Sequence, residues 1–338
     1  MSETAIELWR GGRMESCVRA DVAVVDSVGT VRYWFGNPDR ETFWRSSAKP
    51  FQAMPIIMSG AAETYRFGPR EVAMVCASHG GQPMHVELVQ NLLKRIDASP
   101  DNLICGVHPP SDRESARALY ARGEDPYVLH NNCSGKHTGM LTLARALNAP
   151  LDGYEKPDHP VQRTIRDNVA YMTGVDRESL HTGTDGCGVP TFYLPLSRMA
   201  YSYARLVDPR GLDGAHAGAA LIISEAMRMH PELVSGTGRL EVVLAEASDH
   251  RFVSKGGAEA VFCLGIPDKG LGIAVKVDDG NSRVIPTLVT SVLDQMGVLG
   301  MAERVKLQSE IHPEIRNHAG TLVGEIRPVM ELKSGRLA

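Results

Sequence analysis

The sequence predicts an α+β fold, with a mixed or antiparallel sheet formed by the two ends of the chain and a mostly helical lobe inserted between them. Three observations lead there. Alternating segments rich in β-branched residues lie near both termini. Segments with helical spacing of apolar residues fill the middle. The two patterns do not alternate, which disfavours a βαβ-wound parallel sheet. The 338 residues therefore read as one two-lobed unit, with 1–45 and 240–338 in the sheet lobe and 46–239 in the helical lobe.

In chain order, Ala20 to Val25 and Thr30 to Phe35 read as a hairpin around Ser27-Val28-Gly29. Helices are expected over Arg70–Ala77, Pro83–Ile96, Ser111–Ala121, Gly135–Leu147, Pro160–Tyr171, Leu196–Leu206, Asp213–Met229 and Ser282–Met296. Pro83 and Pro160 suit a first helical turn. A second hairpin, Ala260–Ile266 and Leu271–Val277, turns at Pro267-Asp268-Lys269-Gly270. Thr321 to Val329 supplies a last strand.

Composition excludes several classes. With 36 Lys plus Arg against 40 Asp plus Glu, the net charge is −4, without the basic excess of a nucleic-acid binder. A hydrophobic fraction of 43% is ample for a core, which excludes disorder. No apolar run approaches the roughly 18 residues of a membrane span. The first residues, Met1-Ser2-Glu3-Thr4-Ala5-Ile6-Glu7, are acidic and lack the apolar centre of a signal peptide. A cytoplasmic location is the expectation, and there six cysteines stay reduced. They are packing residues, metal ligands or reactive groups. Cys76, Cys105 and Cys263 sit in or beside apolar runs and read as packing, while Cys17 has no assignment.

Three short motifs carry nucleophile chemistry. In Arg45-Ser46-Ser47-Ala48-Lys49-Pro50-Phe51-Gln52, Ser46 and Lys49 form S-x-x-K. On a helix opening at Ser46 the two share a face, and a lysine in a dry site can lose its proton and activate the hydroxyl. Ser47 competes as nucleophile, but Lys49 points elsewhere from it. The motif alone is common, and Pro55 is expected to kink or end such a helix. In Cys76-Ala77-Ser78-His79-Gly80-Gly81, a serine and a histidine stand beside two glycines, a loop for close substrate approach or simply a helix stop. Ser254-Lys255-Gly256-Gly257 precedes the strand from Ala260. The order, S-x-x-K, a serine-bearing loop, then a lysine–glycine segment, is that of serine β-lactamases and penicillin-binding proteins, with Gly256 where threonine would stand.

Asn131-Asn132-Cys133-Ser134-Gly135-Lys136-His137 opens a helix, and Gly183-Thr184-Asp185-Gly186-Cys187-Gly188-Val189-Pro190 is a glycine-rich loop. Both cysteines lie in polar, irregular segments. Two thiolates and a third donor would bind zinc, and on chemistry alone His137 is that donor. Two unpaired thiols, or a catalytic cysteine with His137 as its base, remain open.

Together these five segments, the last extended as Lys255-Gly256-Gly257-Ala258-Glu259, resemble the bacterial asparaginase II family of the rhizobial type, from about Arg10 to the C-terminal strand. The resemblance implies a fold similar to serine β-lactamases and glutaminases. It implies a homodimer that hydrolyses L-asparagine to L-aspartate and ammonia through an acyl-enzyme. It implies two serine–lysine pairs, Ser46 with Lys49 and Ser78 with Lys255. It implies zinc on Cys133, Lys136 and Cys187, supporting substrate binding, with Lys136 in place of His137. Arg45, His137 and Asp185 become candidates for the substrate's α-carboxylate and α-amine. The alternatives are another Ser–Lys amide hydrolase (a glutaminase or a β-lactamase-like enzyme) and a zinc or thiol sensor without turnover.

Overall fold

The alternation in the strand from Arg13 to Asp26 sets the architecture. Val22 and Val24 point to one face and Ala23 and Val25 to the other, and all four are buried, so both faces of this sheet are covered. The fold, a computed structural model that describes residues 2–335, shows how. Its strands are β1 (Glu3–Arg10), β2 (Arg13–Asp26), β3 (Val31–Phe35), β4 (Glu41–Phe43), β5 (His181–Thr184), β6 (Pro190–Pro195), β7 (Val253–Gly257), β8 (Val261–Ile266), β9 (Leu271–Val277), β10 (Glu314–Arg316), β11 (Leu322–Pro328) and β12 (Lys333–Ser334).

The main sheet has 9 strands in the order β10-β11-β1-β2-β9-β8-β7, with β3 beside β2 and β12 beside β3. Its pairings are antiparallel. Strands from the two ends of the chain meet where Val22 faces Val275. The α+β class predicted from the terminal strands is therefore the one observed. A separate sheet, β4-β6-β5, lies within the helical region. The sequence reading passed over β1, although Ile6 and Leu8 alternate as a strand should and are buried.

One face of the main sheet, through Ala23, Val25, Cys263 and Ala274, joins the core of the helical region. The other, through Val22, Val24, Phe262 and Val275, packs with the helix Ile285–Gln295. Helix Leu196–Val207 lies directly on β9. A Cβ on Gly272 would come within 1.9 Å of the Ala200 carbonyl, so only glycine permits that approach. Among the described residues no helix is long and apolar enough to cross a membrane.

The segment after β4 departs from expectation in two ways. No helix opens at Ser46; instead Arg45–Ala48 forms a 3-10 turn that leads into helix Lys49–Met58. Pro55 neither ends nor breaks that helix. Proline at this position leaves the Phe51 carbonyl without its i+4 donor. The buried Asn168 side chain, from helix Pro160–Thr173, donates to that carbonyl at 2.6 Å. A tertiary partner thus supplies what the local sequence withholds.

Candidate active site

The site is assembled where the 3-10 turn, the loop after helix Pro69–Val75 and edge strand β7 come together. Ser47 staples two of these pieces. It is buried, its hydroxyl donates to the Lys255 carbonyl at 2.9 Å, and its own carbonyl accepts from Tyr203 at 2.8 Å. Ser47 is thereby removed as a rival nucleophile. Gly257 allows the close approach, since a Cβ there would lie 3.1 Å from Ser47 Oγ and 3.2 Å from the Trp44 carbonyl. Arg45 adopts a left-handed φ of 52°, a costly conformation for a residue with a Cβ. It lies beside the serines, where such strain is commonly stored.

Ser46, Ser78 and Lys255 line one cavity of about 540 Å³. Lys49 is fully buried behind it. Its amine donates to Ser78 Oγ at 2.7 Å, to the Ala77 carbonyl at 2.5 Å and to Cys133 Sγ at 3.2 Å. Burial pushes this amine below its ordinary pKa, with Lys136 adding to the effect and the Cys133 thiol opposing it. Lys255 donates to the Gly256 carbonyl at 2.6 Å. Burial lowers its pKa to about 8, against the opposing charge of Glu241. The sequence-derived pairs are therefore crossed in one respect: the hydroxyl that Lys49 holds is Ser78. Ser46 lies in the 3-10 turn, and Lys49 opens the helix that follows it, three residues on.

Cys133 and Lys136 come from the start of helix Ser134–Ala146, and Cys187 from the turn between β5 and β6. The Lys136 amine donates to Cys187 Sγ at 2.9 Å. Burial opposes its charge, but Cys133, Cys187 and Asp185 outweigh this and hold the amine above its usual range. The hydrogen bond from Cys187, with the Lys49 and Lys136 charges, draws the Cys133 thiol well down. Among the described residues no group of three or more His, Cys, Asp or Glu side chains is placed to hold a metal ion. A Cys133–Cys187–His137 site is thus not formed. His137 is buried with Nδ1 2.6 Å from Tyr154 Oη. The two thiols and the Lys136 amine do lie together, a donor set whose chemistry suits zinc once the lysine gives up its proton.

Arg45 and Asp185, from the turn and from the end of β5, bind each other, Nε to Oδ1, at 2.9 Å. Burial alone would raise the Asp185 pKa, but Lys136, Arg45, the Gly186 N–H and Lys49 outweigh it and hold the carboxyl low. His79 is buried, accepts from the Gly81 N–H at Nδ1 and meets Ser134 at Nε2, which keeps it neutral and structural. Cys76, Cys105 and Cys263 are buried packing residues and Cys17 is exposed. Burial raises the pKa of each of the three to about 12.

Among the cavity residues that sequence reasoning missed is the charged pair Arg239 and Glu241. Glu241 Oε1 accepts the Gly256 N–H at 2.8 Å. Only the glycine-rich run Gly236-Thr237-Gly238 before them marks the segment.

The family model described as L-asparaginase II matches residues 6–328. No curated protein matches the sequence. Similar solved structures include a β-lactamase from Mycobacterium bovis, 15% identical over 82% of this chain and 94% of that one, with a TM-score of 0.44. A β-lactamase/D-alanine carboxypeptidase from Pseudomonas syringae is 14% identical over 86% and 92%, with a TM-score of 0.40. A simvastatin synthase from Aspergillus terreus is 13% identical over 86% and 93%, with a TM-score of 0.42.

Proposed function

Because the chain belongs to the L-asparaginase II family, we propose that it hydrolyses L-asparagine to L-aspartate and ammonia through a serine ester. The observation that carries this reading is the Lys49 amine on Ser78 Oγ at 2.7 Å, behind a cavity that Ser46 and Lys255 share. A buried lysine amine in contact with a serine hydroxyl is an arrangement through which a proton can be taken up and passed on.

Ser46 is the attacking group. Among the described residues its hydroxyl has no hydrogen-bonded partner to give up, and it faces the cavity. Its oxygen adds to the side-chain amide carbon while Lys49, three residues on at the start of the next helix, takes the proton. The C–N bond then breaks, and Ser78 relays the proton from Lys49 to the departing ammonia. Water, deprotonated by the same lysine, hydrolyses the aspartyl ester and restores Ser46. Lys255 supplies the second amine of the cavity.

Cys133, Lys136 and Cys187 would hold zinc. Bound there, the metal would replace the Lys136 proton and fix the wall formed with Asp185, without supplying the nucleophile. Cytoplasmic placement and a homodimer belong to the same reading, and sedimentation of the purified enzyme tests the latter.

The deciding experiment measures ammonia release from L-asparagine and L-glutamine, with a chromogenic lactam alongside. Turnover of L-asparagine with a several-fold or greater preference supports the reading. A preference for glutamine or the lactam moves the chain to another Ser–Lys hydrolase. Stoichiometric zinc with no turnover of any of the three makes it a sensor.

A further inference from the structure

We infer that Arg239 and Glu241 form the clamp that recognises the α-carboxylate and α-ammonium of the amino-acid amide. The inference rests on the reading of the chain as an amino-acid amide hydrolase and names the residues that select its substrate.

Both side chains line the cavity that Ser46, Ser78 and Lys255 line. They stand at the start of helix Leu240–Ala247, Arg239 at its N-cap and Glu241 in its first turn. The segment before them is anchored, because the Thr237 N–H donates to Gln82 Oε1 at 3.1 Å. Arg239 is exposed, and among the described residues its guanidinium has a single side-chain partner, Ser111 Oγ at 3.2 Å. Among the described residues no carboxylate neutralises it. A guanidinium offers five N–H donors in a planar fork. Most of this fork is therefore free at the mouth of a catalytic cavity, where a carboxylate can take it in bidentate fashion.

Glu241 is the complement. One oxygen is committed to the Gly256 N–H, and among the described residues the other accepts no hydrogen bond. Glu241 lines the same cavity as Arg239, a pairing of opposite charges that fits a zwitterion. Arg45 and Asp185, the sequence candidates for these tasks, spend their charges on each other at 2.9 Å and do not line that cavity.

The test compares three amides. Succinamate is asparagine without its α-amine, and β-alaninamide is asparagine without its α-carboxylate. Arg239→Gln should raise KM about 10- to 100-fold for L-asparagine and succinamate, the loss expected for one charged hydrogen-bonded contact, and leave β-alaninamide unchanged. Glu241→Gln keeps an acceptor for Gly256 and, compared at a pH above the Lys255 limb, should raise KM for L-asparagine and β-alaninamide well beyond any change for succinamate. Unchanged KM values, equal increases for all three amides, or this carboxylate-dependent pattern in Arg45→Gln instead would overturn the assignment. If the unaltered enzyme hydrolyses none of them, the functional reading has failed, and calorimetric titration with L-aspartate decides the clamp. Binding weakened at least 10-fold by Arg239→Gln supports it; equal or absent binding to the unaltered protein and the variant overturns it.

Discussion

The Lys49 amine and the Ser78 hydroxyl, 29 residues apart, meet at 2.7 Å behind the cavity that Ser46 and Lys255 line. This contact links the lysine of one sequence-derived serine–lysine pair to the serine of the other. Removing the relay should be costly without being total. Ser78→Ala is expected to lower kcat by about 10²- to 10⁴-fold, the usual worth of positioned proton transfer. Ser46→Ala should abolish the ester altogether. Mass spectrometry after a rapid acid quench should find an aspartyl adduct on the peptide bearing Ser46. A folded Ser46→Ala protein with near-normal turnover, or an adduct on Ser78, makes Ser78 the nucleophile.

Lys255 gives a pH prediction with a definite sign. Burial lowers its pKa to about 8, and Glu241 holds it up from a still lower value. If its neutral amine is required, kcat/KM rises with pH through about 8. Glu241→Gln removes the charge that favours the ammonium, so the rising limb should move to lower pH. The other groups acting on this amine, Lys49, Cys133 and Cys76, are untouched by the substitution. A limb that stays in place, or moves upward, removes Lys255 from the titrating step.

The parts of this arrangement visible in sequence are those set by local pattern. The hairpin β8–β9 follows from alternation broken by Pro267 to Gly270, and the helix from Pro83 follows from its opening proline and apolar spacing. Ser46, Lys49, Ser78 and Lys255 stand in motifs dense enough to be noticed. What stayed hidden depends on tertiary contact. Ser47 competes with Ser46 on spacing alone, and what removes it, β7 passing over it and taking its hydroxyl, is a tertiary contact. Arg239 sits in no periodic or chemical pattern, and only the cavity gives it meaning. His137 is the commoner metal ligand by chemistry, yet its ring turns to Tyr154.

Pro55 offers a stability test of the same lesson. The Asn168 amide satisfies the Phe51 carbonyl that this proline leaves open. Asn168→Ala should destabilise the fold by about 1–3 kcal/mol, the cost of a buried acceptor losing its donor. Pro55→Ala restores an N–H to the helix, so the same Asn168 substitution should cost less in that background. Denaturant melts of the four proteins give the coupling. Strict additivity would mean that Asn168 acts through packing alone.

The thiol–lysine cluster yields the metal prediction. Cys133, Lys136 and Cys187 are already drawn together, with the Lys136 amine 2.9 Å from Cys187 Sγ. The protein should bind one equivalent of zinc, and Cys187→Ala should abolish that binding while the fold survives, because Lys49 remains to pair with Cys133 at 3.2 Å. Stripping the metal with a chelator should raise KM for L-asparagine more than it lowers kcat, the mark of a group that shapes the ground-state complex. Binding should be pH-dependent, weakening as pH falls, because zinc competes with the protons on all three donors. Loss of kcat with asparagine still bound would instead give the metal a share in the chemical step. A protein that takes up no zinc at all would leave the cluster as a thiol–ammonium network whose work is to hold Lys49 in place.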